Sequence, residues 1–283
     1  MRSIPNLCLD TSGGEPEDGI VSCLLRHLPP ERILVVTVSD QAQALKAQAP
    51  YIPPENFLLE PAPRGTASVV GLAAVALQAR DPEAMMAVLP SDHFIRNRDL
   101  FHLLLRVAAG VAGRGYLVTL GISPTYPATS YGYIQAGEAL PEEYIYPVYK
   151  VVSFKEKPDE ASAREMIMHG SHSWNSGMFI WKAGRILEEI GIYMPELRAG
   201  LNHLAAAWGT PQQDSLLASI WPGLKNETID YGIMEKAGRV AILPASGLGW
   251  SDIGNWDSLF DVLLPDGDGN IVFSGRHIPQ DTH

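Results

Sequence analysis

The chain has 283 residues, of which 46% are hydrophobic and 19% charged, and it carries 21 basic and 32 acidic side chains for a formal net charge of −11. This length and composition are typical of one large α/β domain with a sizeable core and exclude a disordered chain. The acidic balance argues against a nucleic-acid-binding surface and favours small-molecule partners.

The cysteines and the N-terminal residues indicate a cytoplasmic protein. Cys8 and Cys23 are too few for a disulfide framework or a thiolate zinc site. Pro5, Asp10 and Glu15 lie where a signal peptide needs an apolar core, and no run of about 18 apolar residues occurs. We therefore expect a soluble, unexported protein with no membrane partner.

In the first half of the chain, apolar strands alternate with helix-prone segments. The pattern predicts a strand in 32–39 and a helix in 41–49. Segment 56–80 predicts a short strand, a loop and an Ala-rich helix. The pattern predicts a further strand in AMMAVLPSD (84–92), a helix in 98–115 that ends on glycines, and another strand in 116–123. Such alternation favours a mixed, mainly parallel central sheet with helices on both faces.

The second half of the chain is less regular. Segment 146–170 predicts a long strand, a Pro-Asp turn and a helix, and segment 172–190 predicts a polar loop, a strand and a helix. Segment 239–263 predicts a strand, a Gly-rich loop and a closing helix.

Asp92 follows the apolar run AMMAV within a turn-forming sequence. In sheets of this kind ligands bind outside the carboxyl ends of the strands, so an acid at this position is a candidate site residue. An Asp after Pro-Ser also starts turns and caps helices, and the local sequence leaves both interpretations open.

Asp252 occupies a similar place in the Gly-rich loop after the last predicted strand, between Trp250 and Trp256. Two carboxylates at strand ends suit Mg²⁺, which prefers one or two carboxylates together with waters and substrate phosphates. Asp252 alone is explained equally well as the cap of a helix that begins near Gly254. The pairing with Asp92 favours the metal site.

Polar residues near three further turns are candidates for a sugar-phosphate site. Glu156 and Lys157 lie in FKEKPD, where an ammonium suits a phosphate and a carboxylate accepts hydrogen bonds from hydroxyls. Asn175 offers both a donor and an acceptor, and Gly132 lets the backbone approach a ligand closely. Each of these residues is also explained without a ligand. Glu156 and Lys157 then form a solvated charge cluster, Asn175 makes an Asx-turn before Gly177, and Gly132 marks a bulge in an edge strand.

Seven motifs in order give the chain a family resemblance. They are EPAPRGTA (60–67), LPSDHFI (89–95), SYGYI (130–134), FKEKPD (154–159), WNSGMFIW (174–181), IDYGIMEKAGRVAILPA (229–245) and GWSDIGNWDSL (249–259). Together they closely resemble the bacterial mannose-1-phosphate guanylyltransferases, a family of sugar-phosphate nucleotidyltransferases. The resemblance runs from about residue 30 to the C-terminus.

The resemblance implies a Rossmann-like nucleotidyltransferase fold and transfer of a guanylyl group from GTP to mannose 1-phosphate. It implies that Asp92 and Asp252 hold magnesium, and that Lys157 completes the catalytic set by meeting the sugar phosphate. It places Arg64, Thr66, Pro90 and Ser91 on the nucleotide side, and Gly132, Glu156, Asn175 and Asp230 around the sugar. Such a transfer needs mainly alignment and charge neutralisation, which a metal and a lysine supply.

The sequence departs from the family at both ends. The family begins with an apolar strand and a loop of the form G-G-x-G-T-R, whereas this sequence opens at MRSIPNLCLDTSGGEP, with Asn6 where the family has lysine. Gly13 and Gly14 are followed by acids that would repel phosphate, so we interpret them as a turn. We expect a catalytic domain over 1–264 without that strand and loop, and a truncated β-rich segment over 265–283. The loss of the strand should either leave neighbouring strands with unpaired backbone groups or make the sheet close up.

Functions of two classes remain open. One is a guanylyltransferase that acts on GTP and mannose 1-phosphate, with thymidylyl or adenylyl transfer as the alternative chemistry and a homodimer as the expected assembly. The other is a catalytically inactive sugar-nucleotide-binding homologue or subunit, which the missing Gly-rich loop favours.

Overall fold

The computed structural model describes residues 28–253. Three predictions lie outside the described residues: the Gly13–Gly14 turn, the helix that closes segment 239–263, and the β-rich segment at 265–283. The predicted catalytic domain, 1–264, is therefore described over most of its length.

The described range contains ten strands and seven α-helices. The strands are β1 (Val35–Val38), β2 (Phe57–Glu60), β3 (Met85–Val88), β4 (Phe94–Ile95), β5 (Leu117–Ile122), β6 (Tyr133–Ala139), β7 (Tyr149–Lys155), β8 (His172–Lys182), β9 (Val240–Pro244) and β10 (Trp250–Ser251). The helices are α1 (Ser39–Gln48), α2 (Thr66–Arg80), α3 (Arg98–Gly113), α4 (Glu160–Met168), α5 (Ala183–Tyr193), α6 (Pro195–Ala207) and α7 (Gln213–Ile220). A π-helical turn, Asp230–Met234, precedes β9.

Six strands form the central sheet, in the order β3-β8-β5-β9-β7-β6. Only β5 and β9 pair in parallel within it, and the other pairings are antiparallel. The prediction of a mixed α/β sheet is confirmed, but the expectation that it is mainly parallel is wrong for the pairings. By these pairings β3, β5, β6 and β9 share one direction, while β7 and β8 run against them.

The reason for this difference lies in what an apolar strand reports. Strand β5 is buried along its whole length, which shows that both faces of the sheet are covered but says nothing about the direction of its neighbours. The 11-residue β8 inserts between β3 and β5 and runs against both. Its first residues, predicted as a polar loop, belong to the strand because they pair with β6.

Helices cover both faces of the sheet, as predicted. Apolar side chains of α2, α5 and α6 pack on one face together with those of the sheet residues Leu117, Phe179, Trp181 and Ile242. Those of α3 pack on the other face, against Val118, Leu120, Ile180 and Leu243. The alternation of neighbouring β5 residues between these two cores follows from the two-residue period of a strand.

Strands β1 and β2 form a separate parallel pair. Among residues 28–253, β1 pairs only with β2 and β3 pairs only with β8. The expectation that a family strand is missing beside them stays a prediction. No helix in this part of the chain is long and apolar enough to cross a membrane.

Candidate active site

The candidate site lies where β3 and β6 approach the same long strand. Strand β3 pairs with the second half of β8, through Met85–Val88, and β6 begins against Trp174 in its first half. The chain leaving β3 and the chain entering β6 therefore meet beside the middle of β8. The predicted residues of both segments are brought together there.

Asp92 and Asp252 are held together by a short antiparallel ladder. Strands β4 and β10 pair with Ser251 opposite Phe94, so Asp252 lies one residue after this pair and Asp92 two residues before it. Asp92 faces solvent. The protein around the Asp92 carboxyl removes part of its water, which raises the pKa of Asp92. The nearby negative charge of Asp252 raises this pKa further. Mutual repulsion of this kind is relieved when a cation binds between the two carboxylates.

A buried histidine supports this ladder. His93 Nδ1 accepts a hydrogen bond of 3.2 Å from Trp250 Nε1, and the two rings meet edge to face at 5.2 Å. Burial lowers the pKa of His93 to about 3, so the imidazole is neutral and its unprotonated nitrogen is available as an acceptor. The sequence analysis gave neither residue a role.

Asn175 and Asp230 form the floor of the predicted sugar site. Asn175 Nδ2 donates to Asp230 Oδ1 at 2.8 Å, while Asn175 Oδ1 accepts from the Gly177 amide at 3.1 Å and the Thr119 hydroxyl at 3.3 Å. The Asx-turn before Gly177 is therefore present together with the contact to Asp230. Burial raises the pKa of Asp230.

Glu156 and Lys157 leave the end of β7 in the same direction. The Glu156 side chain is 11% exposed and Lys157 Nζ lies 4.0 Å from its Oε1. Glu156 Oε2 is buried without a hydrogen-bond partner in the described structure. Burial first, and then the charge of Asp230, raise the pKa of Glu156 to about 7. A buried carboxyl with a free oxygen is suited to the hydroxyls of a sugar.

Gly132 makes room for this carboxyl. A β-carbon at Gly132 would overlap Glu156 Oε2 and approach the Asn175 side chain to 3.2 Å. The Gly132 carbonyl also accepts a hydrogen bond of 2.7 Å from the backbone N–H of Asn175. The need for glycine is therefore explained by close packing rather than by a bulge alone.

Tyr131 links the two halves of the site. Its ring lies 5.0 Å from Trp174, beside Asn175, and 5.7 Å from Trp250. Its hydroxyl is hydrogen-bonded to Asp252, and burial together with this carboxylate raises the pKa of the phenol. The sequence drew attention to Tyr131 only as a neighbour of Gly132.

Pro90 and Ser91 directly precede Asp92 in the segment that follows β3. Pro90 faces the middle of β8, since a β-carbon at Gly177 would lie 3.6 Å from its ring. Of the two predicted nucleotide-side residues, Pro90 thus lies near Gly177, two residues after Asn175.

Arg64 and Thr66 are placed differently. The Arg64 guanidinium donates to the carbonyl oxygens of Trp221 at 3.2 Å and Pro222 at 2.7 Å, so much of its hydrogen-bonding capacity is used within the protein. Thr66 Oγ1 accepts from the Ile229 amide at 2.9 Å, which ties the start of α2 to the residue before Asp230. The structure thus joins Thr66 to the sugar side and Arg64 to the 221–222 segment.

The charge of the site fits a bound divalent cation. Its ionisable side chains in the described range include five carboxylates and one ammonium, on Asp92, Glu156, Asp230, Glu235, Asp252 and Lys157. A phosphate-bearing ligand would be repelled by this balance unless a cation accompanied it. No group of three or more His, Cys, Asp or Glu within 28–253 is placed to hold a metal by itself. Two carboxylates that leave positions for waters and phosphates are the set that Mg²⁺ prefers.

Glu235 is the main site residue that the sequence analysis missed. Its Oε1 accepts a hydrogen bond of 2.8 Å from the Glu156 amide. Glu235 lies five residues after Asp230, and positions five apart point about 140° away from each other on an α-helix. The π turn brings them to one side, through a 3.0 Å bond from the Glu235 amide to the Asp230 carbonyl.

Comparison with known proteins gives consistent relatives. Residues 20–268 match the nucleotidyl transferase family. Mannose-1-phosphate guanylyltransferase of Escherichia coli strain K12 is 34% identical over 268 residues, which cover 92% of this chain and 52% of that protein. Alginate biosynthesis protein AlgA of Pseudomonas aeruginosa is 37% identical over 259 residues, which cover 89% of this chain and 50% of that protein. The chain thus spans about half the length of the curated relatives it matches.

A solved structure supports the same fold. The crystal structure of mannose-1-phosphate geranyltransferase from Thermus thermophilus matches with a TM-score of 0.74 and 34% identity, over 87% of this chain and 71% of that one. The resemblance and the Rossmann-like α/β fold predicted from the sequence are thereby confirmed.

Proposed function

This chain belongs to the nucleotidyl transferase family, and from that premise we propose that it transfers a guanylyl group from GTP to mannose 1-phosphate, giving GDP-mannose and pyrophosphate. The observation that carries the proposal is the junction at Tyr131, which joins the Asp92–Asp252 pair to the cluster of Glu156 and Asn175. One site with an acidic metal-binding side and a hydroxyl-binding side suits a nucleotide and a sugar phosphate together. The name of the relative at 34% identity supports guanine and mannose.

In this proposal, a phosphate oxygen of mannose 1-phosphate attacks the α-phosphorus of GTP. The bond between the α-phosphorus and the oxygen that bridges it to the β-phosphorus breaks, and pyrophosphate leaves with the electron pair. The Lys157 ammonium neutralises the sugar phosphate, while Glu156, Asn175 and Asp230 orient the sugar through its hydroxyls. Positioning and charge neutralisation then supply most of the acceleration.

Magnesium is the proposed cofactor, held by Asp92 and Asp252. When bound, it would neutralise charge on the triphosphate and on the leaving pyrophosphate. Pro90 and Ser91 would line the nucleotide side, with Thr66 at the start of α2 and Arg64 beyond it. Carbonyl oxygens engage some but not all of the N–H donors of the Arg64 guanidinium, so a contact with the nucleotide would use the remaining donors or exchange those bonds.

The proposed setting is the cytoplasm, where GTP is available, with a homodimer as the proposed assembly. GDP-mannose synthesis is the process we expect the reaction to serve.

The proposal is tested by pyrophosphate release from the full chain with mannose 1-phosphate, Mg²⁺ and GTP, dTTP or ATP in separate reactions. We expect release with GTP, and a loss of at least about 100-fold in Asp92→Asn and Asp252→Asn. Asp214→Asn, an exposed aspartate on α7, is the matched control and should keep activity. Release only with dTTP or ATP would correct the nucleotide. Calorimetric binding of GDP-mannose without turnover would indicate an inactive binding protein. A chain that neither binds GDP-mannose nor turns over any of the substrates would overturn the proposal.

A further inference from the structure

The turn between β7 and α4 has a strained backbone. Lys157 adopts φ +44, a left-handed conformation that is uncommon for a residue other than glycine. Such a conformation persists only where neighbouring contacts hold it. The same turn carries both side chains that the proposed reaction uses here, Glu156 and Lys157.

Two hydrogen bonds hold this turn, one on each side of Lys157. After it, Asp159 Oδ1 accepts from the Ser162 amide at 2.8 Å and caps α4, a bond within the same local segment. Before it, the Glu156 amide donates to Glu235 Oε1 at 2.8 Å, a bond that joins residues 79 positions apart. Of the two bonds, the second reaches a distant part of the chain and joins this turn to the residue that follows the π turn.

Glu235 is itself fixed by the π turn. Its amide donates to the Asp230 carbonyl, and the Asp230 carboxylate holds the Asn175 side chain at 2.8 Å. One turn of backbone therefore presents two carboxylates, one to the middle of β8 and one to the end of β7. Any displacement of the π turn would move both walls of the sugar side together.

We propose that Glu235 is a positioning residue of this site, which holds the Glu156 backbone and so sets where the Glu156 carboxylate and the Lys157 ammonium meet the sugar phosphate. The proposal rests on the proposed function for its substrate. Glu235 need not touch that substrate, because its described contact is to the backbone of Glu156.

The charge of Glu235 gives the same residue a second, separable effect. Three groups act on Glu156 electrostatically: Asp230 and Glu235 raise its pKa and Lys157 lowers it, while Glu156 in turn raises the pKa of the Tyr231 phenol. Glutamine at position 235 would keep an oxygen acceptor for the Glu156 amide and remove the charge. Alanine would remove both.

Kinetics of Glu235→Ala and Glu235→Gln separate these effects. In the alanine variant we expect the KM for mannose 1-phosphate to rise about tenfold or more, with the KM for GTP within about twofold of the original. The glutamine variant should recover most of the sugar affinity, and the pH limb due to Glu156 should move to lower pH because a like charge is gone. Glu188→Ala, at an exposed position of α5, is the control.

Amide hydrogen exchange of the 155–159 segment gives a readout that needs no turnover. Exchange should be faster in Glu235→Ala and close to the original rate in Glu235→Gln, because only alanine leaves the Glu156 amide without its acceptor. Unchanged exchange in the alanine variant, or equal KM changes for both substrates, would overturn the inference. An original chain that turns over no substrate would count against the proposed function alone, since the exchange experiment still decides the role of Glu235.

Discussion

Replacing Glu156 by glutamine is expected to stabilise the folded chain at neutral and alkaline pH. The Glu156 carboxyl is mostly buried, one of its oxygens has no partner in the described structure, and its pKa is raised from 4.5 to about 7. Its ionised form is therefore disfavoured in the folded state. Glutamine has nearly the same shape and carries no charge at any pH.

The size of the effect follows from the shift. A rise in pKa from 4.5 to about 7 corresponds to about 3 kcal/mol between the folded and unfolded states. Solvent in the cleft screens the charge, so we expect about 1–2 kcal/mol.

The sign is fixed by proton linkage. Below pH 4.5 the carboxyl is protonated in both states, and the native protein carries no penalty from it. Between pH 4.5 and about 7 the unfolded chain releases the proton while the folded chain keeps it, so stability is lost as the pH rises. Above that range the full penalty remains.

The assay is urea unfolding of the original chain and of Glu156→Gln at pH 5 and pH 8, with Glu160→Gln as an exposed glutamate control. The stabilisation by Glu156→Gln should be distinctly larger at pH 8, and the control should change little at either pH. A difference that is the same at both pH values, or that destabilises the chain at pH 8, would show that the Glu156 carboxyl is not held in a disfavoured charged state.

Three glycines give further predictions. Gly65→Ala should lower the free energy of unfolding by at least about 2 kcal/mol, because Gly65 has φ +77 and a β-carbon would overlap the Glu227 carbonyl oxygen. Gly209→Ala, with φ +74 and open space around it, should cost clearly less in the same urea titration; equal costs would refute the steric argument. Gly132→Ala should displace the Glu156 carboxyl and raise the KM for mannose 1-phosphate, but not for GTP, in steady-state kinetics; unchanged sugar KM would contradict the packing described.

Much of the fold was predictable because strand and helix patterns are local. The Ala-rich helix α2 and the strands around it lie where the sequence predicts them. The antiparallel course of β8 was not predictable, because burial of a strand on both faces does not encode the direction of its neighbours. The polar start of β8 was predicted as a loop because its pairing with β6 is a long-range contact, which the local sequence does not encode.

The site was predictable where a motif carries the chemical group itself. Asp92, Asp252 and Glu156 were identified by residue type at strand ends. In the structure Tyr131 bonds to Asp252 and the next residue, Gly132, packs on Glu156, while the roles of these residues stay predictions. Glu235 was missed because its role depends on a π turn and on a bond to a backbone amide, which no side-chain pattern reports. The bonds that engage Arg64 were equally hidden, since they go to carbonyl oxygens far along the chain.

In the proposed reaction, the acidic pair and the sugar-side cluster work as one site. The most direct measurement is a crystal structure of the full chain with GDP-mannose and Mn²⁺ in place of Mg²⁺, using the anomalous signal of the metal. We predict a metal peak between the carboxylates of Asp92 and Asp252, and a mannose ring whose hydroxyls contact Glu156 and Asn175. A nucleotide sugar bound away from these residues, or a metal peak elsewhere in the chain, would contradict the account.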